Sequence, residues 1–238
     1  MNPAPSGCSD SSSYPDAGDV GAFVEDPGFP RSLARGRAYL YVVGCRDDSV
    51  FKIGFSRDPL QRFRTLHARF FEFFDLDGGV LIETDRVAQA RRLERELHAR
   101  FRNHQAPAPL VVPIGAAGHT EWFRGVQDEA VAAALDFAVE RAFAHQAPSA
   151  WLAGVLAQRE DLLFGWATRM FDMFEYAANN QDIAGARACA RDLRDALDAY
   201  LSVGIDPYAS LPAAVVRWHR ALVEGTPSGL VPDGSLDR

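Results

Sequence analysis

The sequence predicts an α/β protein of the α+β kind, with a small antiparallel sheet of about three strands flanked by helices and followed by a C-terminal all-helical domain. Three observations carry that reading. Two short runs between residues 38 and 54 are rich in aromatic and β-branched side chains and are separated by turn-forming residues. Two later stretches, 58–67 and 85–103, repeat apolar residues at helical spacing. Beyond about Gln127 only the helical period remains.

Ala38-Tyr39-Leu40-Tyr41-Val42-Val43 and Ser49-Val50-Phe51-Lys52-Ile53-Gly54, joined through Gly44-Cys45-Arg46-Asp47-Asp48, read as a hairpin. Side chains alternate across a strand, so Tyr39 and Tyr41 share one face, Lys52 and Gly54 share one face, and Leu40, Val42, Phe51 and Ile53 are free to take the other. Burying the apolar set puts both polar sets together and predicts one core face and one chemical face. Asp58-Pro59 starts a helix, the carboxylate capping free backbone donors and the proline preset at the first position, with Leu60, Phe63 and His67 as its stripe and Arg62 beside it. The next helix runs from about Asp85 to Asn103, with Leu93, Leu97 and Phe101 inward and Ala90, Glu94 and His98 on the adjacent line.

Residues 105–119 are rich in Pro, Ala and Gly and predict a loop with a short extended piece at Leu110-Val111-Val112. Glu121 is a candidate second acid, but Trp122 and Phe123 read as core packing that closes the sheet, and the trio is taken as structural. His-Gln-Ala-Pro recurs at 104–107 and 145–148, and shared linker composition accounts for it. Helices are expected at 127–145, 150–179, 182–203 and 209–223. The expected organisation is a flexible acidic leader over 1–30, a catalytic-type domain over 31–126, a helical domain over 127–225 and a flexible tail over 226–238.

Composition is that of a globular protein, with 47% hydrophobic and 24% charged residues in 238. No membrane span or signal-peptide core is visible, which makes a cytoplasmic location the default expectation and a membrane role unexpected. Three widely spaced cysteines fit neither a disulfide framework nor a zinc site. The net charge of -7 is unevenly spread: residues 31–104 carry 15 basic and 10 acidic residues, while both flanks are acidic. A basic segment inside an acidic chain is the pattern of a polyanion-binding surface.

The ordered set Tyr39-Leu40-Tyr41, Lys52-Ile53-Gly54, Arg62, Leu93-Glu94 with Leu97-His98, and Glu121-Trp122-Phe123 resembles the GIY-YIG nuclease superfamily, specifically its phage-associated branch with a Lys-Ile-Gly second motif. Two positions depart from the superfamily pattern: Tyr39 stands where the first motif has glycine, and Lys52 where the second has tyrosine. The resemblance implies a metal-dependent endonuclease acting on DNA, with RNA not distinguished. Its implied site residues are Tyr41, Lys52, Arg62, Glu94, Tyr39 and His98. Glu94 would hold Mg2+ (or Mn2+), Arg62 the phosphate, and Tyr41 the attacking water, with Lys52 lowering the phenol pKa or touching the phosphate.

Each side chain also has an ordinary reading. Tyr41 fits a half-buried strand aromatic, Arg62 a solvated helix face, Glu94 a surface ion pair and His98 a helix-surface histidine. Two other functions therefore stay open: a DNA-binding or regulatory protein without competent chemistry, and an interaction module in which the helical half binds a protein partner or a second copy.

Overall fold

β1 (Ala38–Cys45) and β2 (Val50–Ser56) form the expected hairpin across the turn at 46–49. Tyr41 pairs with Gly54 and Val43 with Lys52, so the two polar sets do lie on one face. The computed structural model describes residues 36–116 and 118–225; the acidic leader and the tail expected from the sequence lie outside them.

The sheet has five strands rather than about three, all antiparallel, in the order β4-β2-β1-β3-β5. β3 (Phe74–Thr84) runs along the second edge of β1, β4 (Trp122–Arg124) pairs with β2, and β5 (His145–Gln146) pairs with β3. Asp75, Asp77, Gly78 and Gly79 mask β3 in the sequence. The Asp75 carboxylate accepts from the Gly78 amide at 3.0 Å, and the β1–β3 register shifts between Val42 and Gly44. The expected extended piece at Leu110–Val112 is a turn, held by the Val112 amide donating to the Pro109 carbonyl. The two His-Gln-Ala-Pro copies serve opposite edges of the sheet. Gln105 bridges Phe123 of β4, and His145–Gln146 is β5 itself, with Pro107 and Pro148 following where pairing stops.

The helices are α1 (Pro59–Leu66), α2 (Phe70–Phe73), α3 (Val87–Phe101), α4 (Gln127–Glu140), α5 (Pro148–Ala157), α6 (Glu160–Asn179), α7 (Ile183–Ser202) and α8 (Ala213–Val223). Asp58 caps α1 by accepting from the Gln61 amide at 3.0 Å. α1 stops at Leu66, and His67 is already extended. The single helix expected over 150–179 is two, broken at Gln158–Arg159. α4 ends before Ala142, whose φ of 55° turns the chain toward β5. Among the described residues no helix is long and apolar enough to cross a membrane.

Both faces of the sheet are core, which corrects the expectation of one apolar and one chemical face. Leu40, Val42, Phe51 and Ile53 pack under α3 and the alanines of α4. Leu93, Leu97 and Phe101 of α3 are buried there, each worth about 1.5–3 kcal/mol. Tyr39, Tyr41 and Val43 face Leu60, Phe63 and Leu66 of α1 and a core continuous with α5–α8. A polar lock reinforces that junction. Arg69 donates to Asp195 and, at 2.8 Å, to Asp198, which also accepts from His219 Nε2 at 3.1 Å.

Candidate functional site

The chemistry-bearing residues meet at an unfinished sheet edge. β4 is three residues long and pairs only with Val50–Lys52 of β2. Past Lys52 the outward backbone groups of β2 find other partners, because a buried amide or carbonyl left unpaired is costly. The Ile53 amide donates to the Glu121 carbonyl at 3.1 Å, the Ile53 carbonyl accepts from His98 Nε2 at 3.1 Å, and the Phe55 amide donates to the Glu94 carboxylate. Two residues of α3 and the loop before β4 are thereby drawn to one strand end.

On the other side of that end, Lys52 is fully buried. Its ammonium donates to Glu121 Oε2 at 2.8 Å and to the Gly118 carbonyl at 2.9 Å, and lies 4.9 Å from the centre of the Trp122 ring. Arg62 donates from Nε to the Tyr41 hydroxyl at 3.3 Å and from Nη1 to the Ala116 carbonyl, and its Nη2 stands 3.9 Å from the same Glu121 oxygen. Tyr41 is also fully buried, edge-on to Phe63 at 5.3 Å. Its ring crosses Gly54, where a Cβ would sit 2.5 Å from the phenol oxygen. The glycine of the Lys-Ile-Gly run is thus explained by close approach rather than by backbone freedom.

Burial dominates the electrostatics. It raises the Tyr41 phenol well above its ordinary value, against the opposing pull of Arg62. Lys52 is pushed down to about 8 by burial, with Glu121 holding it up. Glu94 is raised to about 7, first by burial and then by the negative charge of Glu121, while Lys52 and Arg91 draw it down. Burial also lowers His98. The expected action of Lys52 on the phenol does not occur: Arg62 is the cation beside Tyr41, and Lys52 is committed to Glu121.

Residues 38–139 match the T5orf172 domain. No curated protein and no solved structure matches the chain. The match corrects the GIY-YIG assignment drawn from the motifs: the family found is the T5orf172 domain, a phage-associated nuclease-like domain, and nothing identifies it as GIY-YIG. The misreading has a physical source. Each motif is two or three residues long and also satisfies the ordinary needs of a strand or helix face. At the coarser level, the T5orf172 match supports a nuclease-like, DNA-related role for this region.

Within the matched residues the structure gathers Tyr41, Lys52 and Arg62, and just beside them Glu121. Glu94 and His98 sit along the same strand end, within the field of Lys52 and Glu121. Tyr39 is not brought in. Its hydroxyl accepts from the Trp151 indole and its ring packs edge-on against Trp151 at 5.5 Å, which makes it a junction to α5. Glu121 is the residue that sequence reasoning left out of the site, a candidate second acid set down with Trp122 and Phe123 as structural. Trp122 and Phe123 are core, but Glu121 is the central anion. A lysine in an otherwise apolar strand signals a buried counter-charge; nothing in the sequence says which acid supplies it. The cavities between α6 and α7 and at the start of α3 share no residue with this cluster.

The donor set fits a hydrated magnesium-class ion. Glu94 is a carboxylate raised by burial and a like charge, an environment that a cation relieves. Among the described residues no group of three or more His, Cys, Asp or Glu is placed to hold a metal ion.

Proposed function

We propose that the T5orf172 region of this chain cleaves phosphodiester bonds in DNA, at the cluster of Tyr41, Lys52, Arg62 and Glu94. The observation that supports it most is the convergence of a buried ammonium and a guanidinium on one anionic oxygen, with the Glu94 carboxyl, raised by burial, along the same strand end. Phosphodiester hydrolysis needs charge on the phosphate neutralised, the water placed and the leaving oxygen stabilised. Arg62, fixed by Tyr41 and the Ala116 carbonyl, orients the phosphate. Lys52 neutralises it from beneath. Tyr41 remains a phenol at neutral pH because burial raises its pKa, and it acts as a hydrogen-bonding guide for the water or a phosphate oxygen. Glu94 is the residue to hold Mg2+ (or Mn2+), and the chemistry such an ion supplies is Lewis-acid stabilisation of the leaving oxygen.

The test is incubation of the full chain with supercoiled plasmid and Mg2+ or Mn2+. Wild type should nick or linearise it, and Glu94→Gln should lose that activity; equal trace activity in both ends the hydrolase reading. The depth of Lys52 and the raised Tyr41 phenol favour a second reading, a DNA-binding protein without cleavage. It predicts salt-sensitive binding that EDTA leaves unchanged.

A further inference from the structure

Resting on the reading of this cluster as a phosphodiester site, we infer that the Glu121 carboxylate occupies the position a substrate phosphate takes, and that it leaves that position when DNA binds. A single Glu121 oxygen lies 2.8 Å from the Lys52 ammonium and 3.9 Å from Arg62 Nη2, the arrangement that two cations make around one phosphate oxygen. Lys52 has no exposed surface, and its acceptors are this carboxylate and the Gly118 carbonyl. A phosphate reaches the ammonium only through the space the carboxylate fills.

The way out is open on the Glu121 side. Its side chain is 27% exposed, against 19% for Arg62 and 0% for Lys52. The loop is shaped around the carboxylate: Gly118 sits at φ +70°, and a Cβ there would stand 2.3 Å from Glu121 Oε2 and 2.8 Å from Arg62 Nη2. Exchanging a carboxylate for a phosphodiester swaps one monoanion for another, so the charge of the cluster is conserved and Lys52 is never left buried without a partner. Glu121 is in this sense a positioning residue that keeps the two cations charged and aligned until substrate displaces it.

The experiment is fluorescence anisotropy of a labelled DNA duplex with the full chain in EDTA, at several salt concentrations, so that no metal is involved. Glu121→Gln should bind about 10-fold tighter than wild type, with a log K against log salt slope like that of wild type, because the same phosphate contact is made in both complexes. The gain should vanish when Lys52→Met and Lys52→Met/Glu121→Gln are compared. Glu83→Gln, which removes a carboxylate paired with Arg37 instead, should change binding by less than about 2-fold. If Glu121→Gln does not fold, Glu121→Asp, whose carboxylate is one methylene shorter, should tighten binding in the same direction. Binding by Glu121→Gln no tighter than wild type, or a gain that persists without Lys52, overturns the inference. In a separate Mn2+ titration of the two proteins without EDTA, a loss of Mn2+ binding in Glu121→Gln also overturns it, because Glu121 would then be a metal ligand. If wild type cuts plasmid while Glu121→Gln gains no affinity, only this inference falls; if neither protein binds DNA, the phosphodiester reading falls with it.

Discussion

Glu121→Gln should also destabilise the fold by an amount that grows as pH falls. Lys52 has a folded pKa of about 8, and Glu121 is the largest influence holding it there against burial. At pH 7 the neutral lysine therefore lies only about 1 kcal/mol above the charged one. Removing the Glu121 charge would cost about 3–5 kcal/mol if the ammonium had to stay charged and unpaired. The lysine instead deprotonates once the loss exceeds the gap to its neutral form. The penalty is thus capped at about 1 kcal/mol at pH 7, rises to about 4 kcal/mol at pH 5, and nearly disappears at pH 9. The sign follows from proton counting. The variant's Lys52 has the lower folded pKa, so below about pH 8 its folded state binds fewer protons than wild type and loses stability as pH falls. Urea denaturation of both proteins at pH 5, 7 and 9 gives the difference directly. A pH-independent difference, or one larger at pH 9 than at pH 5, refutes the argument that Glu121 is the counter-charge of Lys52.

Glu94 has a raised folded pKa, so its contribution to stability is fully present below about 4.5 and lost as pH rises through about 7; Glu94→Gln should therefore gain about 1–2 kcal/mol over wild type at pH 8, discounted for partial exposure, and nothing below pH 4.5. The same variant should lose any Mg2+-dependent rise in Tm, and an undiminished rise would remove Glu94 as the ion's ligand. Tyr41→Phe should change stability by no more than about 1 kcal/mol while lowering plasmid cleavage about 100-fold or more, because Arg62 Nε loses its acceptor; unchanged cleavage would leave the phenol without a role. Gly54→Ala should cost about 1–3 kcal/mol in denaturant titration and displace the Tyr41 ring, and a neutral substitution would contradict the 2.5 Å approach. Arg69→Met removes the shared partner of Asp195 and Asp198, which keep Arg194 and His219 and belong to no part of the cluster, so it should cost about 2 kcal/mol in denaturant titration yet leave cleavage intact well below its Tm.

The hairpin, the start of α1 and the inward face of α3 were legible because each rests on local physics: strand alternation, a carboxylate-proline cap and helical spacing. The co-facing of Tyr41 and Lys52 followed from burying Leu40, Val42, Phe51 and Ile53, and the register agrees. What the pattern hid is tertiary. Tyr41 alternates like an exposed polar residue, yet its face is covered by α1 and by a core continuous with α5–α8. β3 was obscured by two aspartates and a Gly-Gly pair that make a local turn inside a strand. The break between α5 and α6 is hidden because no Gly or Pro marks it: Gln158-Arg159-Glu160-Asp161 is polar but compatible with a helix. The role of Glu121 depends on a loop conformation that includes Gly118 at φ +70°, which no short-range pattern encodes.

The shortness of β4 organises these observations. Had β4 continued along β2, the backbone of Ile53 and Phe55 would be paired by another strand, and Glu94, His98 and residues 118–121 would have no reason to reach that edge. Because it stops at three residues, two outward amides and a carbonyl need partners, and they take a carbonyl, a histidine and a carboxylate. The hydrogen bonds that complete the sheet therefore also fix the positions of the groups assigned to chemistry. Filling that edge with another strand would raise stability and erase the site, so the weakness of the sheet at this end and the concentration of charge beside it have one cause.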